Sequence, residues 1–146
     1  MGLFQAFNIS ASGMTAERFR TDIIAENIAN VNTTSTPDGG PYRRKIVTFS
    51  ERPVTPFSQI YSSSKNAAIG NGVKVTKVTE DYETDFIMEY DPSNPDADEN
   101  GYVRYPNVNT VTEMTNLIDA TRAYEANANA LDASKSMALA GLNIGK

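Results

Sequence analysis

Residues 110–142 read TVTEMTNLIDATRAYEANANALDASKSMALAGL, and this stretch decides the fold. Met114, Leu117, Thr121, Tyr124, Ala128, Leu131, Lys135, Ala138 and Leu142 follow one another in steps of three and four. A stripe of that spacing, kept over several repeats, predicts a helix that lies along another helix. Thr110-Val111-Thr112-Glu113 reads as a capping box starting the helix just beyond Pro106, with the threonine hydroxyl on the Glu113 amide. Gly141 and Gly145 mark a fraying end. From Val111 to Leu142 such a helix runs ~48 Å at 1.5 Å per residue, more than a chain of this size easily buries internally. Eight alanines lie between Ala120 and Ala140. They admit close backbone approach but bury little area each, so at ~25 cal/mol per Å² they offset less ordering entropy than leucines would. The ends are therefore expected to be poorly ordered in an isolated copy and to fold on assembly.

Working outward, the first ~30 residues offer the partner helix, with Leu3, Phe7, Met14, Ile24, Ile28 and Val31 at compatible spacing. The pattern predicts a helix from Leu3 to Asn30. Gly13 inside it costs roughly 1 kcal/mol against alanine, which is either tolerated or needed for close approach of another backbone. All seven prolines fall between Pro37 and Pro106. Thr36-Pro37-Asp38-Gly39-Gly40-Pro41 is a dense breaker cluster. Tyr42 to Glu51 favours a strand that Pro53 and Pro56 end. Gln59 to Asn71 reads as an irregular polar segment. Val73 to Val78 alternates cleanly as a strand, with Thr84 to Tyr90 as its expected partner, and Asp91 to Gly101 as an acidic loop. There is no internal repeat of 20 residues or more. The fold class is α+β: long terminal helices paired as a coiled-coil-like hairpin around a small β-rich or irregular insert. The expected divisions are 1–36 (helix), 37–106 (insert) and 107–146 (helix).

Composition narrows the chemistry. A net charge of −5 and a pI near 4.7 argue against nucleic acid as the main partner, since phosphate binding needs a basic face. Mean hydropathy is −0.41 and no apolar run approaches the ~18 residues of a membrane span, so no membrane insertion is expected. The N-terminus lacks the basic region and apolar core of a cleavable signal, so any export is expected by another route. With no cysteine or histidine, no nucleophilic triad and no usual zinc site is available, and no cofactor is expected. Ser62-Ser63-Ser64-Lys65 holds a Ser-x-x-Lys spacing without the further motifs that catalysis through it requires. Asp96-Ala97-Asp98-Glu99-Asn100-Gly101 copies the opening of a calcium loop. Its twelfth position is Asn107 rather than a bidentate glutamate, and Pro95 and Pro106 deny it flanking helices, so it reads as an acidic turn. Charge is unevenly spread: Tyr42-Arg43-Arg44-Lys45 is basic, whereas Glu80 to Glu99 holds nine acids and no base. Both read as solvated surface, or as complementary patches on neighbouring copies or partners.

Several blocks carry a family resemblance. Ser12-Gly13-Met14 followed by Asn27-Ile28-Ala29-Asn30-Val31-Asn32-Thr33 resembles the N-terminal signature of bacterial flagellar axial (rod and hook) proteins. Glu113-Met114 with Ala123-Tyr124-Glu125-Ala126-Asn127 resembles their C-terminal signature. Pro37 to Lys45, Tyr90-Asp91-Pro92, Asp96-Ala97-Asp98, Gly101-Tyr102-Val103 and Pro106-Asn107-Val108-Asn109 are similar to the proximal-rod branch, at equivalent spacing over nearly the whole chain. One departure is Asn94, where that branch usually has histidine.

The resemblance implies a non-enzymatic structural subunit of the basal-body proximal rod. That rod is the helical drive shaft that carries torque from rotor to hook and encloses the export channel. It implies export across the inner membrane by the flagellar type III apparatus, and helical hetero-assembly with other rod subunits and neighbouring basal-body proteins. It places Leu3, Phe7, Met14, Ile24, Ile28, Val31, Met114, Leu117, Tyr124, Leu131 and Leu142 in packing within and between subunits. Asn27, Asn30, Asn32, Thr33, Glu113, Tyr124 and Asn127 carry the family motif. Two other classes share some of these features. A soluble adaptor with a helical hairpin would stay in the cytoplasm, and a glycosidase would need paired carboxylates that an acidic, proline-containing loop positions poorly.

Overall fold

The computed structural model describes residues 3–37, 39–53 and 70–144, with the Leu3 side chain outside that description. The Ser62–Lys65 spacing and most of the expected irregular segment from Gln59 therefore lie outside the described residues. Helix α1 is Leu3–Ala29 and helix α2 is Thr110–Ile144. At 35 residues α2 is ~52 Å long. Between them lie β1 (Lys45–Glu51), β2 (Val73–Glu80), β3 (Ile87–Tyr90) and β4 (Tyr102–Tyr105). The fold is α+β, with two two-stranded sheets, β1–β2 and β3–β4. β2 therefore pairs with β1 and not with the expected Thr84–Tyr90, which instead supplies β3 to a separate pair. That pair is antiparallel, with Ile87 opposite Tyr105 and Tyr90 opposite Tyr102. The Tyr90 and Tyr102 rings meet edge-on at 5.3 Å, a cross-strand aromatic contact that favours this register.

The chain forms two compact units. The first comprises Met1–Phe19, Phe49–Thr76 and Ala120–Lys146; the second comprises Arg20–Thr48 and Lys77–Asp119. Each draws on both helices and on the segment between them. In the first, Gly72 (φ +94°) turns the chain into β2 against α1. The Val73 amide donates to Ser12 Oγ at 3.1 Å while that hydroxyl donates to Ile9 O at 2.7 Å. A serine in mid-helix thereby becomes the anchor for a strand. In the second, the acidic loop between β3 and β4 is a run of Asx turns. Asp91 Oδ1 accepts from the Ser93 amide, and Asp98 Oδ1 accepts from the Asn100 and Tyr102 amides, with Gly101 at φ +80°. The calcium-like spacing thus serves turn geometry.

The start of α2 differs from a capping box. Asn109 is the cap: its Oδ1 accepts from the Thr112 amide at 3.1 Å, and its carbonyl from the Glu113 amide at 2.9 Å. Glu113 does not reach back, because its carboxylate is engaged elsewhere. The packed seam of α2 also runs one residue earlier than the apolar stripe. Glu113, Leu117, Ala120, Tyr124, Asn127, Leu131, Ser134 and Ala138 recur at four-three spacing, and all but Tyr124 are buried or half-buried. Thr121, Lys135 and Leu142 are exposed, as is Met114, while Ala128 is half-buried. The two patterns share Leu117, Tyr124, Leu131 and Ala138. They part where the inward position is polar or small.

Candidate functional site: the buried node at Asn27

The buried side chains of the second unit include Asn27, Asp81, Asn107 and Glu113, and these polar groups join one set around Asn27 and Arg44. Asn27 lies near the end of α1 with 1% exposure. Its Oδ1 accepts from the Lys45 amide and the Tyr42 hydroxyl, both at 2.9 Å. Its Nδ2 donates to Lys45 O at 2.9 Å and to Glu113 Oε2 at 3.1 Å. Both donors and both acceptor sites of the amide are filled, so burial costs it little.

Glu113, on the first turn of α2, is likewise 1% exposed. Its Oε1 accepts a forked pair from Arg44, Nε at 2.9 Å and Nη2 at 2.7 Å. Arg44 also faces Asp81 Oδ2 at 3.6 Å. The Arg44 amide donates to Asn107 Oδ1, and Asn107 Nδ2 donates to the carbonyls of Asp81 and Thr84. Two helices, the entry to β1, the exit of β2 and the Pro106–Val108 segment are thus tied by one hydrogen-bonded set. Val103 and Val108 supply apolar cover at 0% and 2% exposure. A network with every member satisfied is directional, so it fixes the register of α1 against α2 in a way that interchangeable apolar contacts do not.

Electrostatics follow from this enclosure. Burial, then the charges of Glu26, Glu113 and Glu80, push the Tyr42 hydroxyl far above its ordinary pKa, so it remains a donor at any physiological pH. Burial alone would raise Asp81, but bonds from the Thr84 amide and hydroxyl and the Glu83 amide, with the Arg44 charge, outweigh it and lower its pKa. A carboxyl held below its unfolded value of ~4 contributes stability above that pH and loses it as pH falls through the folded pKa. Asp81→Asn should therefore lower the melting temperature at pH 7, and the gap to the natural chain should close progressively below pH ~4. Thermal unfolding followed by circular dichroism from pH 7 to 2.5 checks this.

The first unit has its own close contact. A Cβ on Gly13 would lie 2.7 Å from Asn127 Oδ1 and 2.8 Å from its Cγ. Asn127 is held there by donating Nδ2 to Ala123 O at 2.8 Å. Gly13 thus admits a side chain of α2 rather than a second backbone. Gly13→Ala should destabilise by about 1–2 kcal/mol, yet in an Asn127→Ala background it should stabilise by about 1 kcal/mol through helix propensity. A double-mutant cycle in urea reads the coupling.

The other motif residues are placed as follows. Asn30 Nδ2 closes the end of α1 on Glu26 O, and Thr33 Oγ1 donates to Asn30 Oδ1. Asn32 and Tyr124 are exposed. Of the expected packing residues, Ile24 is buried, and Phe7, Met14, Ile28, Val31, Leu117 and Leu131 are half-buried. Met114, Tyr124 and Leu142 are exposed. Tyr42, Arg44, Asp81 and Asn107 escaped sequence reasoning as members of one site. The cue was available in part: Arg44 adjoins the breaker cluster, and Asn107 sits between Pro106 and Val108, where a short amide side chain can cap loop carbonyls.

Residues 7–35 match the model described as flagella basal body rod protein, and residues 99–144 match that described as flagellar basal body rod FlgEFG protein C-terminal. These two stretches contribute Asn27 and Glu113, respectively. The chain is 44% identical to the flagellar basal-body rod protein FlgC of Bacillus subtilis, over 100% of both chains. It is 44% identical to the protein of that name from Borreliella burgdorferi, over 99% of this chain and 98% of the relative. Identity to the Salmonella typhimurium protein is 39% over 100% of both.

Proposed function

Because the chain belongs to the FlgC family of flagellar basal-body rod proteins, and is a structural subunit of that rod rather than an enzyme, we propose that α1 and α2 form its assembly core within the proximal rod. It assembles with other basal-body components. In this reading residues 1–36 and 107–146 pack against other rod subunits around the export channel, and 37–106 contacts neighbours further out.

One observation carries the reading. On α2, Val111, Met114 and Ile118 follow at i, i+3 and i+7 and are 74, 55 and 53% exposed. They share the side opposite the buried Glu113 and Ala120. A solvated apolar stripe on a helix marks a surface meant to be covered. The last turns add Met137, Leu139, Leu142 and Ile144, exposed by 67, 53, 70 and 86%. Ends that bury so little within one chain gain most of their order from neighbours, which suits passage through a narrow export apparatus and couples folding to addition at the tip. Once covered on all sides, long helices resist twist collectively, as a torque-transmitting shaft requires.

Met114→Asp combined with Ile118→Asp tests the reading. Both are surface changes, so the isolated chain should melt within about 0.5 kcal/mol of the natural one. The variant should nevertheless be missing from purified basal bodies and fail to restore motility. Normal incorporation would overturn the assignment of this face.

A further inference from the structure

The second unit holds a groove of about 440 Å³ beside the Thr36–Tyr42 turn, lined by Arg43, Lys45 and Arg104 among others. Arg43 is clamped in it. Its guanidinium carbon lies 4.4 Å from the Tyr82 ring centroid and 4.2 Å from that of Phe86, and Nη1 donates to Asp81 O at 2.9 Å. That bond uses one of the five guanidinium N–H donors, and both rings fix the plane of the rest. A cation ordered before its ligand arrives loses little further freedom on binding. Arg104 has no ion-pair partner among the described residues, and Lys45 is paired with Glu26. Among the described lining residues the acid is Glu80, which accepts from the Tyr82 hydroxyl at 2.6 Å. Among its described lining residues the groove is net cationic, and its best-ordered donor has the planar geometry that carboxylates match.

The chain itself carries the complementary charge. The exposed tip of the β3–β4 loop presents Glu99 with no intrachain partner among the described residues, next to Asp98 and Asn100. We infer that the Glu99 tip of one copy docks in the Arg43–Arg104 groove of the next. Tip and groove are different patches of one chain, so the contact is heterologous: it propagates as an open helix instead of closing a symmetric dimer. This inference rests on the rod-subunit reading, because only an assembly containing adjacent copies uses it. As a charge contact at an exposed rim, it sets orientation and weakens with salt.

The chain has no cysteine, which permits a clean test. Asn100→Cys, beside the tip, and Thr36→Cys, at the groove, are co-expressed in cells lacking the natural copy, and isolated basal bodies are treated with a short bismaleimide. Recovery of each variant alone in the rod fraction reports the rod role separately from the docking contact. A crosslinked dimer of this chain should appear only when both variants are present. Adding Arg43→Gln to the Thr36→Cys chain should remove the dimer, and Arg104→Gln, a surface change, should weaken it if the Arg43 variant does not fold. Rods that contain both variants but yield no dimer overturn the proposal. So does a dimer formed by Asn100→Cys alone, which would signal a symmetric contact.

Discussion

Asn27→Asp is expected to destabilise the chain by more than about 4 kcal/mol, among the largest effects of any near-isosteric substitution in it. The change alters one atom. It deletes both donors of the Asn27 amide, leaving Lys45 O unpaired, and sets a carboxylate against Glu113 Oε2, which the natural side chain approaches at 3.1 Å. Asn27→Ala removes the same bonds without adding charge and should cost less, about 3 kcal/mol, through several groups left unsatisfied. The ordering of these two variants separates a polar node from a merely filled space, since a packing role would make alanine the worse. The pH response provides a second check. Burial and the Glu113 charge disfavour that ionised form, and protonation restores one donor, so the folded pKa of the new carboxyl rises above the unfolded value. Its penalty is then relieved as pH falls, and the variant should be more stable at pH 5 than at pH 8. Equal stability at both would mean that the new carboxylate escapes to solvent.

Gly72→Ala should cost about 3 kcal/mol, and for two separable reasons. Backbone at φ +94° strains any L side chain by about 1–2 kcal/mol. The added Cβ would also fall on Ser12 Oγ and come within 3.3 Å of Ile9 Cα in α1. For a chain of this size that loss lowers the melting temperature by roughly 10 °C. Ser12→Ala in the same chain removes the nearer obstacle at the expense of the Val73 amide's acceptor. The double variant should therefore recover about 1 kcal/mol relative to the sum of the single changes, leaving the backbone strain. Full recovery would mean that the glycine is needed for space alone.

Much of the architecture was legible because it rests on patterns that do not depend on partners. Prolines and glycines between Pro37 and Pro106 confine the helices to the ends, and Val73-Lys74-Val75-Thr76 alternates whatever it pairs with. The family was legible from blocks around Asn27, Tyr42, Gly101 and Tyr124. What was not legible is what depends on a distant partner. Apolar periodicity alone points the seam of α2 through Met114. The chain instead turns Glu113 inward, where Arg44 and Asn27 neutralise and fill it, and leaves Met114 outside. Local pattern likewise gives Glu113 to a cap, because Arg44, its partner, lies 69 positions away. The basic run Tyr42 to Lys45 divides the same way: Arg44 serves the node while Arg43 lines the groove. Proximity in sequence pairs Thr84–Tyr90 with β2, whereas Tyr90 and Tyr102 decide the register across the acidic turn.

The most direct test of the rod assignment is quantitative mass spectrometry of this chain in detergent-extracted basal bodies, comparing the natural protein with one lacking residues 132–146. The account predicts that the natural chain is recovered in the rod fraction and that the shortened one is lost from it together with motility. Motile cells whose basal bodies contain none of the chain, with all of it soluble in the cytoplasm, would contradict the account.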